Sequence, residues 1–358
     1  MIIGIDANEA NQEERVGSNV FAFEVLWQFH TKDKKNRFIV YLKKPPLKDL
    51  PRQRKNWQYR ILKPGFCWTQ WRLPLSLFFQ KPCPQVFLTL GHYAPRLSPV
   101  PRLICIMDLA FLHFPQTFLK KDLKKLKNWT KYSVKKALHI FTISQFSKKE
   151  IMNHYQIPAE KITVAYPGVK IRENTPLSNY SNYLLYLGTL QPRKNIKNLV
   201  KAFAALPPEH SQFKLIIAGK KGWMHQSLFD LVKKLKLTQK VIFTGYIKKS
   251  QVQSLIKDAR CLILPSYYEG FGIPVVQAMK LKTPVLVSQN SSLTEIVSQS
   301  GYFIKPPFSA EEIKKGIIKL LNSQDQKTKV NQAYLKSKQF TWQSTYQQIK
   351  KAIYELNF

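Results

Sequence analysis

Short apolar runs and amphipathic segments alternate along the whole chain, and this alternation predicts strands followed by helices. In the first half, buried strands are predicted at residues 1–6, 38–42, 86–90, 103–107 and 139–143. Helices are predicted at 20–30, 73–79 and 119–138, the first with Val20, Phe23, Leu26 and Trp27 on its inward face. Ser147-Lys148-Lys149-Glu150 matches a capping box, so Ser147 is predicted to cap a helix. The rest of residues 43–85, rich in proline, lysine and tryptophan, gives no clear pattern.

A second set of strands and helices follows residues 155–182, whose prolines and glycine predict a linker. The strands are predicted at 183–187, 214–219, 241–243, 261–264 and 285–287. The helices are predicted at 196–205, 274–281, 310–321 and 342–356, with a short one within 290–300. Strands that alternate with helices are typical of open parallel sheets. The predicted fold is therefore α/β, with two Rossmann-like, doubly wound domains (1–172 and 173–341) facing each other across a cleft.

Length and composition agree with two globular domains, since 358 residues are many for one core and 44% of them are apolar. No apolar run reaches the roughly 18 residues of a membrane span. The first residues predict a strand rather than a signal peptide. The four cysteines have no paired spacing, which favours reduced thiols in a cytoplasmic protein and argues against a metal site.

The charge balance is unusual, with 57 lysines and arginines against 21 acidic residues and a formal net charge of +36. Such a surface attracts anions, including nucleic acid, anionic membranes and phosphorylated ligands. The basic residues are spread along the chain and form no nucleic-acid-binding motif, which disfavours nucleic acid. In the predicted helix 119–138, eight lysines surround an apolar stripe that begins at Leu119. This helix fits either a solvated surface or docking to an anionic membrane, and the sequence leaves both open.

The stretch 261–287 predicts a strand, a glycine-bearing loop, a helix and another strand. Gly270 and Gly272 allow a positive φ and a close approach to the backbone, and Pro274 suits the first turn of the helix. A helix N-terminus after such a loop attracts phosphate, whereas the carboxylate of Glu269 accepts hydrogen bonds from sugar hydroxyls. The stretch therefore suggests a ligand that is sugar at one end and phosphate at the other. A buried strand–helix corner with a solvated glutamate explains it equally well.

Other candidate groups follow predicted strands. Arg193 and Lys194 stand between a strand and a helix, where adjacent cations would clamp a diphosphate. A surface basic pair is the alternative. In the first half, Gly17 lies on the turn after the first strand, and His92 and Asp108 lie at the ends of two later strands. Ligands of open α/β sheets bind at such strand ends, although a lone histidine is more commonly structural than catalytic.

Four segments together carry a family resemblance: GTLQPRKN (188–195), YYEGFGIPVVQAM (267–279), SSLTEIV (291–297) and MDLAFLHFP (107–115). They are similar to segments of the retaining, nucleotide-sugar-dependent glycosyltransferases of family four, many of which are bacterial mannosyl-, glucosyl- or galactosyltransferases that build cell-surface glycans. The resemblance covers nearly the whole chain and is most specific in the second half. It implies the two-Rossmann glycosyltransferase fold, GT-B, with the donor bound mainly by the C-terminal domain and the acceptor by the N-terminal one. It also implies that the last helix (342–358) returns to the N-terminal domain.

The resemblance implies roles for single residues. Glu269 resembles the first glutamate of the family's E-x(7)-E motif, which hydrogen-bonds the donor sugar, and Arg193 and Lys194 resemble the pair that neutralises the donor diphosphate. The further implied residues are Gly270, Phe271 and Gly272, whose backbone N–H groups would meet the donor, Tyr246 near the base pocket, and Gly17, His92 and Asp108 on the acceptor side.

Two positions depart from the family pattern. The second glutamate of the motif, which usually binds the ribose hydroxyls, is Gln277, whose amide can accept one hydrogen bond and donate another. The histidine that often precedes the Asp-Leu pair is Met107. These departures motivate an alternative, a degenerate protein that binds a nucleotide sugar without transferring it.

The predicted function is a retaining, metal-independent hexosyltransferase without a cofactor. It would move a sugar from a nucleotide sugar to a glycan or lipid-linked acceptor in cell-surface polysaccharide synthesis. The predicted location is the cytoplasm, and peripheral docking on the inner face of the cell membrane through helix 119–138 is a hypothesis. The alternatives are the degenerate nucleotide-sugar-binding protein and, less favoured, a basic nucleic-acid-binding protein.

Overall fold

A computed structural model describes residues 1–171, 178–220, 222 and 226–356. The chain divides into two compact units, which are named here unit 1 (Met1–Gly168 with Thr341–Phe358) and unit 2 (Val169–Phe340). The predicted domain boundary, between residues 172 and 173, lies outside the described residues. None of the described helices is long and apolar enough to cross a membrane.

Unit 1 is built on a seven-stranded parallel sheet. Its strands are β1 (Ile2–Asp6), β2 (Arg37–Leu42), β3 (Trp57–Ile61), β4 (Val86–Thr89), β5 (Arg102–Ile106), β6 (His139–Thr142) and β7 (Ile162–Val164). They lie in the order β3-β2-β1-β4-β5-β6-β7. The helices along this part of the chain are α1 (Ser18–Lys32), α2 (Arg72–Phe79), α3 (Ala110–His113), α4 (Lys120–Lys136) and α5 (Gln145–Tyr155). The central strand β4 and the inner strand β6 are buried along their whole length, because both faces of a doubly wound sheet are covered.

Unit 2 contains a six-stranded parallel sheet in the order β10-β9-β8-β11-β12-β13. Its strands are β8 (Tyr183–Leu187), β9 (Lys214–Ala218), β10 (Val241–Gly245), β11 (Cys261–Leu264), β12 (Val285–Ser288) and β13 (Tyr302–Ile304). Its helices are α6 (Ile196–Ala204), α7 (Gln226–Lys234), α8 (Lys249–Lys257), α9 (Ile273–Lys280), α10 (Ser291–Val297), α11 (Ala310–Leu321) and α12 (Gln326–Ser337). The strands and helices predicted from the apolar pattern of both halves are confirmed to within two residues at each end.

The last helix, α13 (Trp342–Glu355), belongs to unit 1 and packs on α1. The ring centroids of Phe21 and Trp342 are 6.1 Å apart, and those of Phe29 and Tyr346 are 5.2 Å apart. The predicted inward face of α1 was correct for Leu26 only, since the buried residues are Phe21, Ala22, Val25, Leu26, Gln28 and Phe29. The face is rotated because α1 must meet both the sheet and α13. Phe23, predicted inward, instead lies 4.1 Å from the Arg15 guanidinium.

Two local predictions need correction. The cap of α5 is Ser144, whose Oγ accepts a hydrogen bond from the Ser147 N–H at 3.0 Å, so the helix begins before the predicted capping residue. In α4 the eight lysines are exposed as predicted, but Leu119 is 59% exposed and is not part of the buried stripe. That stripe begins at Leu123, which packs into the core of unit 1.

Each sheet has one topological switch point, where the strand order changes direction. In unit 1 it lies between β1 and β4, and in unit 2 it lies between β8 and β11. The loops that leave the carboxyl ends of such a strand pair run to opposite sides of the sheet and leave a crevice between them. The candidate sites are therefore expected at these two places.

Candidate active site

The switch point of unit 2 brings Arg193, Lys194 and Glu269 together. Arg193 and Lys194 lie in a short 3₁₀ turn (Pro192–Lys194) after β8, and Glu269 lies in the loop after β11. The two loops are joined through their backbones, since the Tyr267 N–H donates to the Arg193 carbonyl at 2.9 Å. Residues that are 75 positions apart in the sequence thus share one crevice.

Glu269 is held by a cation and a hydroxyl. Lys194 Nζ donates to Glu269 Oε1 at 2.5 Å, and Ser266 Oγ donates to the same oxygen at 2.7 Å. Arg193 Nη1 lies 4.0 Å from the other carboxylate oxygen, Oε2. The side chains of Arg193, Lys194 and Glu269 are only 16%, 12% and 9% exposed. Predicted from sequence as separate contacts to phosphate and sugar, these groups form one buried ion-pair cluster.

The cluster keeps Glu269 ionised. Burial would by itself raise the pKa of Glu269, but the positive charges of Lys194 and Arg193 outweigh it and hold the pKa below its ordinary value of 4.5. The neighbouring Tyr186 phenol has a pKa well above its ordinary value, first because of burial and then because of the Glu269 charge. A carboxylate in this state accepts hydrogen bonds and donates none.

The Arg193 side chain makes one structural hydrogen bond and leaves one N–H group unpaired. Its Nη1 donates to the Tyr268 carbonyl at 2.9 Å and so braces the loop that carries Glu269. Its Nε is buried and has no hydrogen-bond partner among the described residues. Buried polar groups are nearly always paired, so an unpaired guanidinium N–H in a crevice suits an anionic ligand oxygen.

Hydroxyl and amide groups that were not predicted as site residues position the loop of Glu269. The Glu269 N–H donates to Ser291 Oγ at 3.1 Å, and Ser292 Oγ donates to the Glu269 carbonyl at 2.8 Å. Asn290 Nδ2 donates to the Tyr267 carbonyl at 2.7 Å. These residues begin α10, which follows the strand next to β11. The segment SSLTEIV carried part of the family resemblance, but only the strand order shows why its serines matter.

The glycine loop is confirmed as the start of a helix. Gly272 caps α9 with φ +100°, a conformation that favours glycine, and a Cβ there would lie 2.9 Å from Leu293 Cδ2. The Phe271 side chain is 3% exposed and packs edge-on against Phe340 at 5.5 Å, so only its backbone could meet a donor. Donor contacts through Gly270, Phe271 and Gly272 stay a prediction.

Gln277 and Tyr246 also lie in unit 2. Gln277 is half-buried in the second turn of α9, and Tyr246 is 39% exposed just after β10. The strand order places β10 two strands away from β8. The predicted roles of these residues in nucleotide binding remain predictions.

The three predicted acceptor-side residues lie in unit 1. Gly17 caps α1 with φ +49°. The carboxylate of Asp108 accepts a hydrogen bond from the Ala110 N–H at 3.0 Å and so orders the start of α3. His92 follows β4. Burial lowers its pKa below the ordinary value of 6.5, although the charge of Asp108 acts in the opposite direction. The lowered pKa favours the neutral ring. Their predicted contact with an acceptor stays a prediction.

The described residues contain no group of three histidine, cysteine, aspartate or glutamate side chains placed to hold a metal ion.

Two family models match consecutive parts of the chain. The model of the group 1 glycosyl transferases matches residues 169–336, and that of glycosyltransferase family 4 matches residues 40–173. The chain is therefore similar to the group 1 and family 4 glycosyltransferases. The family resemblance predicted from the sequence is thereby confirmed, and the two parallel sheets confirm the predicted α/β class.

Relatives with named activities are similar over part of their length. The O-antigen chain mannosyltransferase B of Escherichia coli is 29% identical over 251 residues, which are 66% of this chain and 66% of the relative. The O-antigen chain mannosyltransferase RfbU of Salmonella typhimurium is 29% identical over 218 residues, which are 61% of this chain and 60% of the relative. The chain thus spans less than two thirds of the length of these glycosyltransferases.

Among solved structures, Anabaena Alr3699/HepE in complex with UDP and glucose is similar, with a TM-score of 0.76. The match covers 99% of each chain at 17% sequence identity. At this identity the likeness shows the shared fold. The chain therefore has the GT-B type of fold, with two Rossmann-like units.

Proposed function

We propose that this glycosyltransferase moves a hexose from a nucleotide sugar to a glycan or lipid-linked acceptor in cell-surface polysaccharide synthesis. The main support for this proposal is the buried cluster of Arg193, Lys194 and Glu269 at the switch point of unit 2. It combines cations suited to a diphosphate with a carboxylate suited to sugar hydroxyls. The names of the O-antigen mannosyltransferases and of the complex with UDP and glucose support the same class of substrates.

The cluster suits a departing diphosphate. Negative charge develops on the leaving oxygen as the bond to the anomeric carbon breaks, and fixed positive groups stabilise it. Lys194 is held by Glu269, and the Arg193 guanidinium lies beside the same carboxylate, with Nη1 4.0 Å from Oε2. The N-terminus of α9, which follows Glu269 closely in the chain, adds the positive end of its helix dipole. In this proposal these positive groups neutralise the leaving diphosphate in place of a metal ion.

The pairing of Glu269 favours a positioning role rather than covalent catalysis. A carboxylate that is bound to Lys194 and Ser266 is stabilised as an anion and is a weak nucleophile. Retention is then explained by attack of the acceptor hydroxyl on the face from which the diphosphate leaves. The new C–O bond forms as the anomeric C–O bond breaks, and the hydroxyl proton passes to the leaving phosphate oxygen. Glu269 orients the sugar during this exchange.

Nucleotide sugars should raise the thermal stability of the protein. At about 100 times its dissociation constant a ligand adds about 2.7 kcal/mol to the free energy of unfolding. The measurement is a thermal-shift panel with UDP-glucose, GDP-mannose, ADP-glucose and dTDP-glucose. Lys194→Ala and Glu269→Ala should weaken the shift, whereas Lys197→Ala, an exposed lysine on α6, should leave it intact.

The outcomes separate the alternatives. A shift with one nucleotide class, together with transfer to acceptor, supports the proposal. A shift without any release of nucleoside diphosphate would favour the degenerate binding protein suggested by Met107 and Gln277. A folded protein that responds to none of the four contradicts a nucleotide-sugar site.

We also infer that unit 1 docks on an anionic membrane. The eight lysines of α4 are exposed. Four aromatic side chains before and within α2 are exposed as well: Phe66 by 78%, Trp71 by 49%, Phe78 by 46% and Phe79 by 76%. Aromatic side chains that can enter the interface, together with lysines that attract anionic lipids, are typical of membrane-surface proteins.

Hydrogen bonds connect the segment before α2 and helix α4 to the same short stretch of chain. Gln70, just before α2, donates to the Ala94 carbonyl at 3.2 Å and accepts from the Arg96 N–H at 2.8 Å. The Ala94 N–H in turn donates to Ser133 Oγ on α4 at 3.0 Å. The α2 segment and α4 therefore both contact the stretch 94–96, and in this proposal their exposed side chains meet one membrane surface.

The protein should sediment with vesicles that contain anionic lipid and not with neutral ones. Each lysine near such a surface contributes about 1 kcal/mol, so the triple change of Lys120, Lys121 and Lys127 to glutamine should weaken binding on the order of a hundredfold. The double change Phe66→Ser and Phe79→Ser should weaken it further at high salt. Leu335→Ser, an exposed apolar residue of unit 2, is the control. Equal weak binding to both vesicle types contradicts the inference.

A further inference from the structure

The carboxylate of Glu269 is held at one of its two oxygens. Both hydrogen bonds that the described residues make to it reach Oε1, which accepts from Lys194 Nζ at 2.5 Å and from Ser266 Oγ at 2.7 Å. The other oxygen, Oε2, lies 4.0 Å from the Arg193 guanidinium, beyond hydrogen-bond distance. Since buried polar atoms are normally paired, Oε2 is the oxygen that is left for a ligand hydroxyl.

Ser266 holds this carboxylate from within its own loop. It lies two residues after the end of β11 and three residues before Glu269. Its side chain is fully buried, so its hydroxyl cannot itself reach a ligand. A serine hydroxyl has a single proton to donate, and here that proton goes to Oε1. Ser266 can therefore affect a bound ligand only through Glu269.

The backbone that carries the Ser266 hydroxyl is fixed by its neighbours. The Asn290 amide donates to the Ser266 carbonyl at 3.3 Å and to the Tyr267 carbonyl at 2.7 Å. The Tyr267 N–H in turn donates to the Arg193 carbonyl at 2.9 Å. These bonds join the loop after β11 to the loops after β12 and β8. A donor on such a backbone is directed at one acceptor position before any ligand arrives.

Lys194 alone would not fix the orientation of the carboxylate. The terminal torsion of a glutamate side chain is soft, so its carboxylate plane rotates easily unless a contact holds it. A lysine ammonium is a compact charge with rotatable donors and attracts either oxygen. Ser266 adds one directed hydrogen bond, and this bond distinguishes Oε1 from Oε2.

We propose that Ser266 is a positioning residue of the donor site. Its hydroxyl holds Oε1 and thereby fixes the carboxylate of Glu269, so that Oε2 accepts hydrogen bonds from the hydroxyls of the donor sugar. The inference rests on the proposed glycosyltransferase function and deepens it, because it assigns the sugar to one oxygen of Glu269. It concerns the sugar alone, since the diphosphate would meet Arg193 and Lys194 as before.

Ser266→Ala should weaken binding of a nucleotide sugar about tenfold and leave binding of the free nucleoside diphosphate unchanged. The factor corresponds to the loss of one hydrogen bond to a charged group. The measurement is isothermal titration calorimetry with UDP-glucose, GDP-mannose, ADP-glucose and dTDP-glucose, each compared with its own free diphosphate.

The matched control is Ser292→Ala. Ser292 is also fully buried, and its Oγ also donates to residue 269, but at the backbone carbonyl, at 2.8 Å. The control removes the same group from the surroundings of the same loop and leaves the carboxylate contacts in place. It should therefore keep the native difference in affinity between a nucleotide sugar and its diphosphate.

The two serine variants should also differ in the pH dependence of sugar binding. Burial raises the pKa of Glu269, whereas the charges of Lys194 and Arg193 and the hydrogen bonds from Lys194 and Ser266 lower it. Loss of the Ser266 hydroxyl therefore moves this pKa upward. As the solution is acidified, Ser266→Ala should lose sugar affinity at a higher pH than the native protein or Ser292→Ala. The nearby Tyr186 phenol stays protonated in this range, because burial holds its pKa well above the ordinary value.

Each outcome decides the proposal. A loss confined to Ser266→Ala and to the nucleotide sugars, together with the shift in pH dependence, supports it. Equal effects of the two serine changes would show a merely structural role and overturn it, as would unchanged sugar binding, equal losses of sugar and diphosphate binding, or pH profiles that coincide. A native protein that binds none of the nucleotides contradicts the proposed function itself, so the two failures are distinguishable.

Discussion

Replacing Lys194 by methionine should slow glycosyl transfer on the order of 100-fold, as expected for the loss of one fixed donor that stabilises developing charge. The same change should also destabilise the protein by about 3 kcal/mol, because it leaves the buried carboxylate of Glu269 without its closest cation. Activity is measured as release of nucleoside diphosphate, and stability by urea unfolding.

A double-mutant cycle separates the two effects. Adding Glu269→Gln to Lys194→Met removes the unpaired charge, and neutral pairs of similar size are often as stable as the buried ion pair that they replace. The double variant should therefore regain most of the lost stability while transfer stays slow. If the losses of stability in the two single variants simply add in the double variant, Lys194 and Glu269 do not interact as the 2.5 Å contact indicates.

Gly168→Ala should destabilise unit 1 by about 3 kcal/mol, at the upper end of the usual effect of overpacking. A Cβ at residue 168 would lie 2.0 Å from the Trp342 backbone nitrogen and 2.4 Å from the Thr341 carbonyl carbon. Both atoms belong to the backbone at the start of α13, so relief requires the helix to move. That movement would disturb the packing of Trp342 on Phe21.

The matched control is Gly65→Ala in the same unit, where a Cβ would meet nothing within 4 Å. Urea unfolding followed by tryptophan fluorescence should show a clear difference between the two variants. If both were as stable as the native protein, the close approach of residue 168 to α13 would be contradicted.

The candidate site shows how far single residues can be assigned without a structure. Arg193, Lys194 and Glu269 were recognisable because each stands at a junction of strand and helix and lies in a family-like segment. Their mutual pairing was not recognisable, since it depends on β8 and β11 being neighbours in the sheet. For the same reason Ser266 and Ser291 were overlooked, although both lay in segments already singled out.

The order of buried strands and amphipathic helices was determined by the sequence itself, because a strand covered on both faces needs a continuous apolar run and a surface helix needs an apolar stripe. The strands β3, β7 and β13 escaped prediction, and all three lie at sheet edges. Strand β3 carries polar residues (WQYRI), and β7 and β13 span only three residues each, so none of the three gives a long apolar run. Only the tertiary structure decided three features: the rotated face of α1, the cap at Ser144 and the contacts of Glu269. The first and the last depend on partners that are distant in the chain. The cap depends on which of two nearby serines packs better at the start of the helix.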